Sequence, residues 1–152
     1  MLPATTRRVP DHTSVAANQR IAEDIEERVR YFAHHPEEIG RRLRELDEEW
    51  DIERMIEANA ATLAFTGVAL GTTVDRRWLA LPALVAGFLL QHATQGWCPP
   101  VPVLRRLGFR TEREIDTERC ALKALRGDFG SIDADIGDPD AAAIRAIAAA
   151  RA

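Results

Sequence analysis

The stretch from His92 to Cys98 holds the side chains of this chain that are best suited to chemistry. Cys98 lies between a tryptophan and two prolines, and helical spacing places it on the same side as His92 and Gln95. Arg105 follows nearby and would favour the thiolate of Cys98, which is the nucleophilic form of a thiol. This pattern predicts a thiol or persulfide relay in which Cys98 accepts sulfur and passes it on.

A second interpretation gives Cys98 no chemical role, and the sequence favours it. Cysteine is a small, adaptable residue that is often buried, and the dipole at a helix C-terminus disfavours a thiolate. His92 is by type more often a hydrogen-bonding residue than a metal ligand, so we predict no metal site and no cofactor. Cys120 is expected to pack inside an amphipathic helix. The protein is therefore predicted not to be an enzyme, with Cys98 as the one feature that leaves catalysis open.

The charges of the 152-residue chain are unevenly distributed. No charged residue lies from Ala58 to Val74, and from Trp78 to Leu104 only His92 can carry a charge. Acidic and basic residues are mixed elsewhere, and the formal net charge is −4. Because no long basic block is present, nucleic acid is not predicted as a partner. Two cysteines are too few for a disulfide framework or a zinc site of the CxxC…CxxC kind.

The two uncharged stretches predict a helical hairpin in a lipid bilayer. A bilayer core about 30 Å thick needs about 20 residues of helix, and neither stretch has the polar face of a helix that borders water. Trp78 and Trp97 are expected at the two membrane interfaces of the second span. More arginines lie before the first span and after the second than in the short connection between them. The first residues of the chain lack the apolar core of a signal peptide. Both termini are therefore predicted in the cytoplasm.

Small residues repeat along both stretches, in "GVALG" and in "ALVAG". Such residues let helix backbones approach closely, which is how helices associate in lipid. The repeat predicts close packing in the hairpin and a homo-oligomer. The predicted helix-packing residues are Ala60, Ala64, Gly67, Gly71, Ala83 and Gly87.

Charged helices are expected before the hairpin. Residues 1–13 are rich in proline and threonine and are predicted to be disordered. Thr13 or Ser14 then caps a helix that runs to about His34, and Pro36 begins a second helix, with a bend predicted near Asp51. The apolar seam of the second helix is Ile39, Leu43, Leu46 and Trp50.

The prolines after Cys98 are predicted to end the hairpin. Thr111 and Glu114 form a capping box at the start of another amphipathic helix, and Gly127 is placed to end it. An acidic loop and an Ala-rich terminal helix follow. The predicted division of the chain is therefore 1–57, 58–97 and 98–152, with the hairpin in the middle.

Residues 52–111 resemble the small bacterial membrane proteins of the DUF2892 family, which are similar to the transmembrane domain of YgaP-type membrane rhodaneses. The shared features are the charged "ER" before the first stretch, the two short spans, and "G-x-C-P" followed by "LRRLG". The resemblance implies a helical hairpin in the bacterial inner membrane that is often dimeric. It brings no established activity, and nothing in the chain resembles the rhodanese catalytic loop.

The sequence as a whole predicts an all-α fold, with a two-span transmembrane helical hairpin flanked by amphipathic cytosolic helices. The leading prediction of function is an inner-membrane scaffold that oligomerises through its small-residue stripe and presents charged helices to a cytosolic protein partner. Two alternatives stay open. One is the sulfur relay centred on Cys98, and the other is a soluble helical oligomer whose core is formed by the uncharged stretches.

Overall fold

The computed structural model describes residues 4, 6–130 and 147, and within them every regular element is a helix. The α-helices are α1 Val15–His34, α2 Ile39–Glu48, α3 Ile52–Thr73, α4 Ala80–Gln95, α5 Val101–Arg106 and α6 Glu112–Arg126. Short 3₁₀ turns form at Pro10–His12, Pro36–Glu38 and Arg76–Leu79. The predicted all-α fold is confirmed. The predicted acidic loop and Ala-rich helix lie outside the described residues, apart from Ile147.

Local capping signals account for where the first helices begin. The Ser14 hydroxyl accepts a hydrogen bond from the backbone N–H of Ala17 at 3.3 Å and so caps α1. The Asp51 carboxylate accepts from the backbone N–H of Arg54 at 2.8 Å and caps α3. The bend predicted near Asp51 is therefore a complete break between α2 and α3.

The capping box predicted from Thr111 and Glu114 is confirmed at the start of α6. The backbone N–H of Thr111 donates to Glu114 Oε2 at 2.8 Å, and the backbone N–H of Glu114 donates to Thr111 Oγ1 at 3.3 Å. Gly127 follows the last residue of α6 with a φ of +87°, the left-handed conformation that suits glycine at a helix end.

The described chain divides into two compact units, each built from two separated stretches. The first unit contains the described residues up to Glu23 together with Trp50–Glu114, and therefore the hairpin of α3 and α4. The second contains Asp24–Glu49 and the described residues from Ile115 onward. The three segments predicted from the sequence follow chain order, whereas each unit joins residues that are far apart in the chain.

The core of the first unit lies at the open end of the hairpin, away from the α3–α4 turn. Its buried residues are Val9, Ile52, Ile56, Cys98, Val101 and Leu104. Val9 is only 1% exposed, so the prediction of a disordered start is wrong for residues 6–13. That prediction relied on composition, whereas a single well-placed valine anchors this stretch in the core.

The second unit has a core of its own, formed by Phe32, Ile39, Leu43, Leu46, Ile115 and Leu122. Three residues of the predicted seam of α2 are therefore buried as expected. Trp50, the fourth, belongs to the first unit and is exposed, with the Arg54 guanidinium 4.3 Å from the centre of its ring.

Glycines set how closely the two helices of the hairpin approach. A Cβ atom built on Gly67 would lie 2.5 Å from Pro82 Cδ, and one on Gly71 would lie 2.6 Å from Leu79 Cδ2. Ala83 and Gly87, the packing residues predicted on α4, are exposed in the hairpin, and a Cβ on Gly87 would meet nothing within 4 Å. Gly67 and Gly71 thus pack within the hairpin and are not free to bind another chain. Ala60, also buried, and the partly buried Ala64 lie on the same helix.

Alanine at these positions is expected to have opposite effects. Gly67→Ala should lower the free energy of unfolding by about 1–3 kcal/mol, because its methyl group overlaps the Pro82 ring. Gly87→Ala should raise it by up to about 1 kcal/mol, because the site is open and alanine favours a helix. Urea unfolding of both variants measures the difference, and equal effects would contradict the packing described for Gly67.

No helix among the described residues combines the length and apolar content needed to cross a membrane. The 16 residues of α4 rise only about 24 Å, and α3 is longer but includes Glu57, Asn59 and four threonines. The two tryptophans do not mark the ends of one helix, because Trp78 lies in a 3₁₀ turn and Trp97 follows the end of α4. The hairpin is confirmed as a pair of helices, and its two membrane spans are not supported.

Candidate functional site

Cys98 is buried at the base of the hairpin. Helix α4 ends at Gln95, and Gly96 adopts a φ of +81° with its N–H bonded to His92 O at 2.7 Å. Pro99 and Pro100 then lead directly into α5, so the prolines stand at the start of a new helix and do not themselves end α4. Cys98 is 5% exposed and packs in the apolar core of the first unit.

The environment of Cys98 opposes a thiolate. Burial raises the pKa of its thiol, and no cation of residues 6–130 counteracts that effect. The predicted assistance from Arg105 is wrong, because the guanidinium binds Glu114 instead. Gln95 is exposed, and His92 Nδ1 has no hydrogen-bond partner among the described residues, so the thiol does not bond to it. The residues that a relay would need are therefore not brought together.

His92 belongs to a different polar cluster, which the sequence did not reveal. Its Nε2 lies 2.6 Å from Glu53 Oε2, and Arg8 Nη2 donates to Glu53 Oε1 at 3.0 Å. Arg8 Nη1 also approaches the carbonyl oxygen of Ala93 at 3.4 Å. Burial alone would raise the pKa of Glu53, but hydrogen bonds and charges from His92 and Arg8 outweigh it and hold the pKa below its usual value. The cluster joins three separated parts of the chain.

A second cluster surrounds Arg105, whose side chain is fully buried. Nη1 and Nη2 each donate to one carboxylate oxygen of Glu114 at 2.7 Å, the two-pronged geometry that favours arginine. The same guanidinium donates to the Phe109 carbonyl at 3.0 Å and to Asn18 Oδ1 at 2.9 Å. Burial would raise the pKa of Glu114, but Arg105 and Thr111 lower it by more. This is the arrangement of a structural ion pair.

An apolar groove of about 240 Å³ runs along the hairpin to Cys98. Its walls come from α3 and α4, and Pro99 and Pro100 form part of its lining. Among the lining side chains only Asn59 and Cys98 carry polar or reactive groups, and the Asn59 amide already donates to Met55 O at 2.9 Å. The groove therefore suits apolar contacts and holds no pair of a nucleophile and a base.

Metal chemistry finds no support in the described residues. Among them, no three histidine, cysteine, aspartate or glutamate side chains are grouped in a way that could hold a metal ion. Cys98 and the exposed Cys120 are both free thiols. Trp97 lies beside Phe88, with ring centroids 6.4 Å apart, and Trp78 is exposed near the tip of the hairpin.

Comparisons of the chain with protein-family models, curated proteins and solved structures found no match. The resemblance to the DUF2892 family accordingly stays a prediction, which rests on the motifs quoted from the sequence.

Replacing Cys98 with serine tests its role in packing. The variant should unfold about 1–3 kcal/mol more easily, because a hydroxyl in an apolar core lacks the hydrogen bonds that water provides. Cys120→Ser is the matched control and should change stability by less than about 0.5 kcal/mol, since that residue is exposed. Thermal unfolding measures both, and equal stability would contradict the buried position of Cys98.

Gly96 should tolerate a side chain less well than Gly108, although both have a positive φ. Gly108→Ala should lower the free energy of unfolding by about 1–2 kcal/mol. This is the cost of the left-handed backbone alone, because the space around the residue is open. At Gly96 the new Cβ would lie 2.3 Å from the Arg8 carbonyl oxygen, so Gly96→Ala should cost at least about 1 kcal/mol more. Chemical unfolding of the two variants gives the difference, and a similar loss in both would refute the contact with Arg8.

Proposed function

We propose that this protein is a non-catalytic scaffold that assembles with further copies of itself by burying the apolar sides of its hairpin. The observation that carries the proposal is how much apolar side-chain surface α3, α4 and their connection leave uncovered. Phe65 is 76% exposed and Leu90 is 68% exposed. The other large exposed apolar residues of this region are Leu63, Val68, Val74, Trp78, Leu79 and Leu84.

The size of this surface suits a protein interface. The eight side chains expose on the order of 100 Å² each, which is about 800 Å² in all. A stable interface buries about 800 Å² on each partner, so the exposed apolar surface matches one interface in total, divided between more than one side of the hairpin. Because α4 has no polar residue from Ala80 to Leu90, more than one side of the hairpin needs cover, which favours an assembly of several copies.

The polar atoms of the hairpin do not oppose burial. All five threonines of α3 and α4 donate their hydroxyl to a backbone carbonyl of the preceding turn, at 2.7–3.0 Å. A hydroxyl that is bonded within its own helix needs no partner from water, so its burial against another chain costs less. The exposed surface is therefore less polar than its composition indicates.

The mass of the protein in solution tests this proposal. We expect the unchanged chain at micromolar concentration to have the mass of an oligomer by light scattering after size-exclusion chromatography. Phe65→Glu combined with Leu90→Glu should shift the mass to that of the monomer. Val15→Glu is the matched control, because Val15 is 72% exposed but lies outside the hairpin. A monomeric mass for the unchanged chain, or equal masses for all three proteins, would refute the proposal.

The second candidate function is the one predicted from the sequence, a scaffold whose hairpin is held in the bacterial inner membrane with both termini in the cytoplasm. Threonines bonded within their own helices and the exposed Trp78 beside Arg76 and Arg77 favour it. Retention of the native protein in the membrane pellet after an alkaline carbonate wash would support this candidate. Release into the supernatant would exclude it.

A further inference from the structure

The stretch of residues 6–13, here called the strap, lies across the base of the hairpin. It has regular structure of its own, because Thr13 Oγ1 donates to Val9 O at 2.8 Å and residues Pro10–His12 form a 3₁₀ turn. Val9 is its one buried apolar side chain, and it packs in the cluster that contains Cys98. Val9 of the strap therefore closes the core that contains the thiol, and Cys98 separately lines the apolar groove, whose lining includes no residue of the strap.

One carboxylate fastens the strap to both helices of the hairpin. Glu53 lies on α3, accepts from Arg8 of the strap at 3.0 Å, and lies 2.6 Å from His92 on α4. On the other side, the Arg8 carbonyl rests against Gly96, at a distance that leaves no room for a Cβ atom. Two further hydrogen bonds hold the strap: Arg8 Nη1 donates to Ala93 O at 3.4 Å, and Asn18 Nδ2 donates to Pro10 O at 2.9 Å.

We propose that the strap is a detachable cover, latched by Glu53, over the apolar core that contains Cys98. Its detachment removes only one apolar side chain from the core, whereas global unfolding disrupts the whole cluster. Arg8 Nε is buried without a hydrogen-bond partner in the closed state, and detachment returns that atom to water. Both features make opening of the strap far easier than unfolding of the unit.

Opening changes which groups at the base of the hairpin are accessible to solvent. With the strap in place, Cys98 is buried and the apolar core beneath Val9 is closed. With the strap released, the core residues that Val9 packs against, Cys98 among them, become accessible to solvent. The strap thus controls access to the thiol, independently of whether the hairpin self-associates.

The rate at which Cys98 reacts with N-ethylmaleimide tests the proposal, in a Cys120→Ser background that leaves a single thiol. Arg8→Ala removes the partner that ties the strap to Glu53 and should speed the reaction about tenfold. Arg7→Ala is the matched control, because Arg7 is highly exposed and pairs only locally with Asp11 at 3.1 Å. Equal rates in the two variants would overturn the proposal.

A second measurement tests the detachment of the strap even if Arg8→Ala does not fold. In the Cys120→Ser protein with its strap intact, the reaction of Cys98 is followed in rising urea below the unfolding transition. Detachment of a short strap exposes little surface, so the rate should rise with a much shallower slope than global unfolding. A slope equal to that of global unfolding would show that Cys98 is reached only when the whole unit unfolds, and would overturn the proposal.

Discussion

Arg105→Ala is expected to lower the free energy of unfolding by about 3–5 kcal/mol, because it removes one partner of a buried ion pair. The guanidinium satisfies Glu114, Asn18 and the carbonyl of Phe109 at once. Its loss removes the arginine donor from two further acceptors and from a mostly buried carboxylate, whose Oε2 keeps the backbone N–H of Thr111. Urea unfolding followed by circular dichroism measures the change.

Arg106→Ala is the matched control, since Arg106 is the next residue on α5 and is exposed. It should change stability by less than about 0.5 kcal/mol. A loss below about 1 kcal/mol in Arg105→Ala would contradict the ion pair described here.

The same variant should respond less to acid. The pKa of Glu114 is lower in the folded protein than in the unfolded chain. Its carboxylate therefore stabilises the fold above the unfolded pKa, and this stability is lost as the pH falls through the folded-state pKa. Without Arg105 the main cause of the lowering is gone. Unfolding measured from neutral pH down to acid should therefore show a smaller decrease of stability for Arg105→Ala than for the unchanged protein.

The helix boundaries could be predicted from the sequence because their signals are local. Ser14 and the Thr111–Glu114 box act within three residues, and each caps the helix that the sequence assigned to it. The strap could not be predicted, because one valine among prolines and threonines makes no periodic pattern. Its anchors lie far along the chain, with Arg8 separated from Glu53 by 45 residues.

The candidate site was predicted less well, and the reason is electrostatic. The sequence placed Arg105 beside the Cys98 thiol, but Glu114 offers a full negative charge and two oxygens, whereas a buried thiol remains neutral. His92 likewise binds Glu53, which is 39 residues away and carries no motif that links the two. Sequence reasoning identified the polar residues but not their partners, because charge pairing acts across the fold.

The hairpin shows that an uncharged stretch of sequence is not by itself evidence for one long apolar helix. The absence of charge from Ala58 onward correctly indicated an apolar pair of helices, but Ile52 and Ile56 of the same helix are used in the core of the first unit. At the other end, Gly96 turns the backbone and ends α4 before Trp97. Composition reports how apolar a segment is, whereas caps and core contacts determine how much of it is one uninterrupted apolar helix.

The second unit allows a separate test of buried charge at Glu118. Its side chain is fully buried on α6, with Arg42 Nε donating to Oε1 at 2.8 Å and Arg28 Nε donating to Oε2 at 3.2 Å. Glu118→Ala should lower the free energy of unfolding by about 3–5 kcal/mol, because it leaves two arginines without this partner and opens space beside the core. Thermal or urea unfolding measures the loss.

The control for Glu118 is an exposed carboxylate that also pairs with arginine. Glu26 accepts from Arg30 at 3.2 Å, and both side chains are mostly exposed, so Glu26→Ala should change stability by less than about 1 kcal/mol.

Glu118→Gln separates charge from packing, since it keeps the shape of the side chain and most of its hydrogen-bonding capacity. If the glutamine variant is as unstable as the alanine variant, the negative charge itself holds the two arginines in place. If all three variants match the unchanged protein, the buried pairing at Glu118 is wrong.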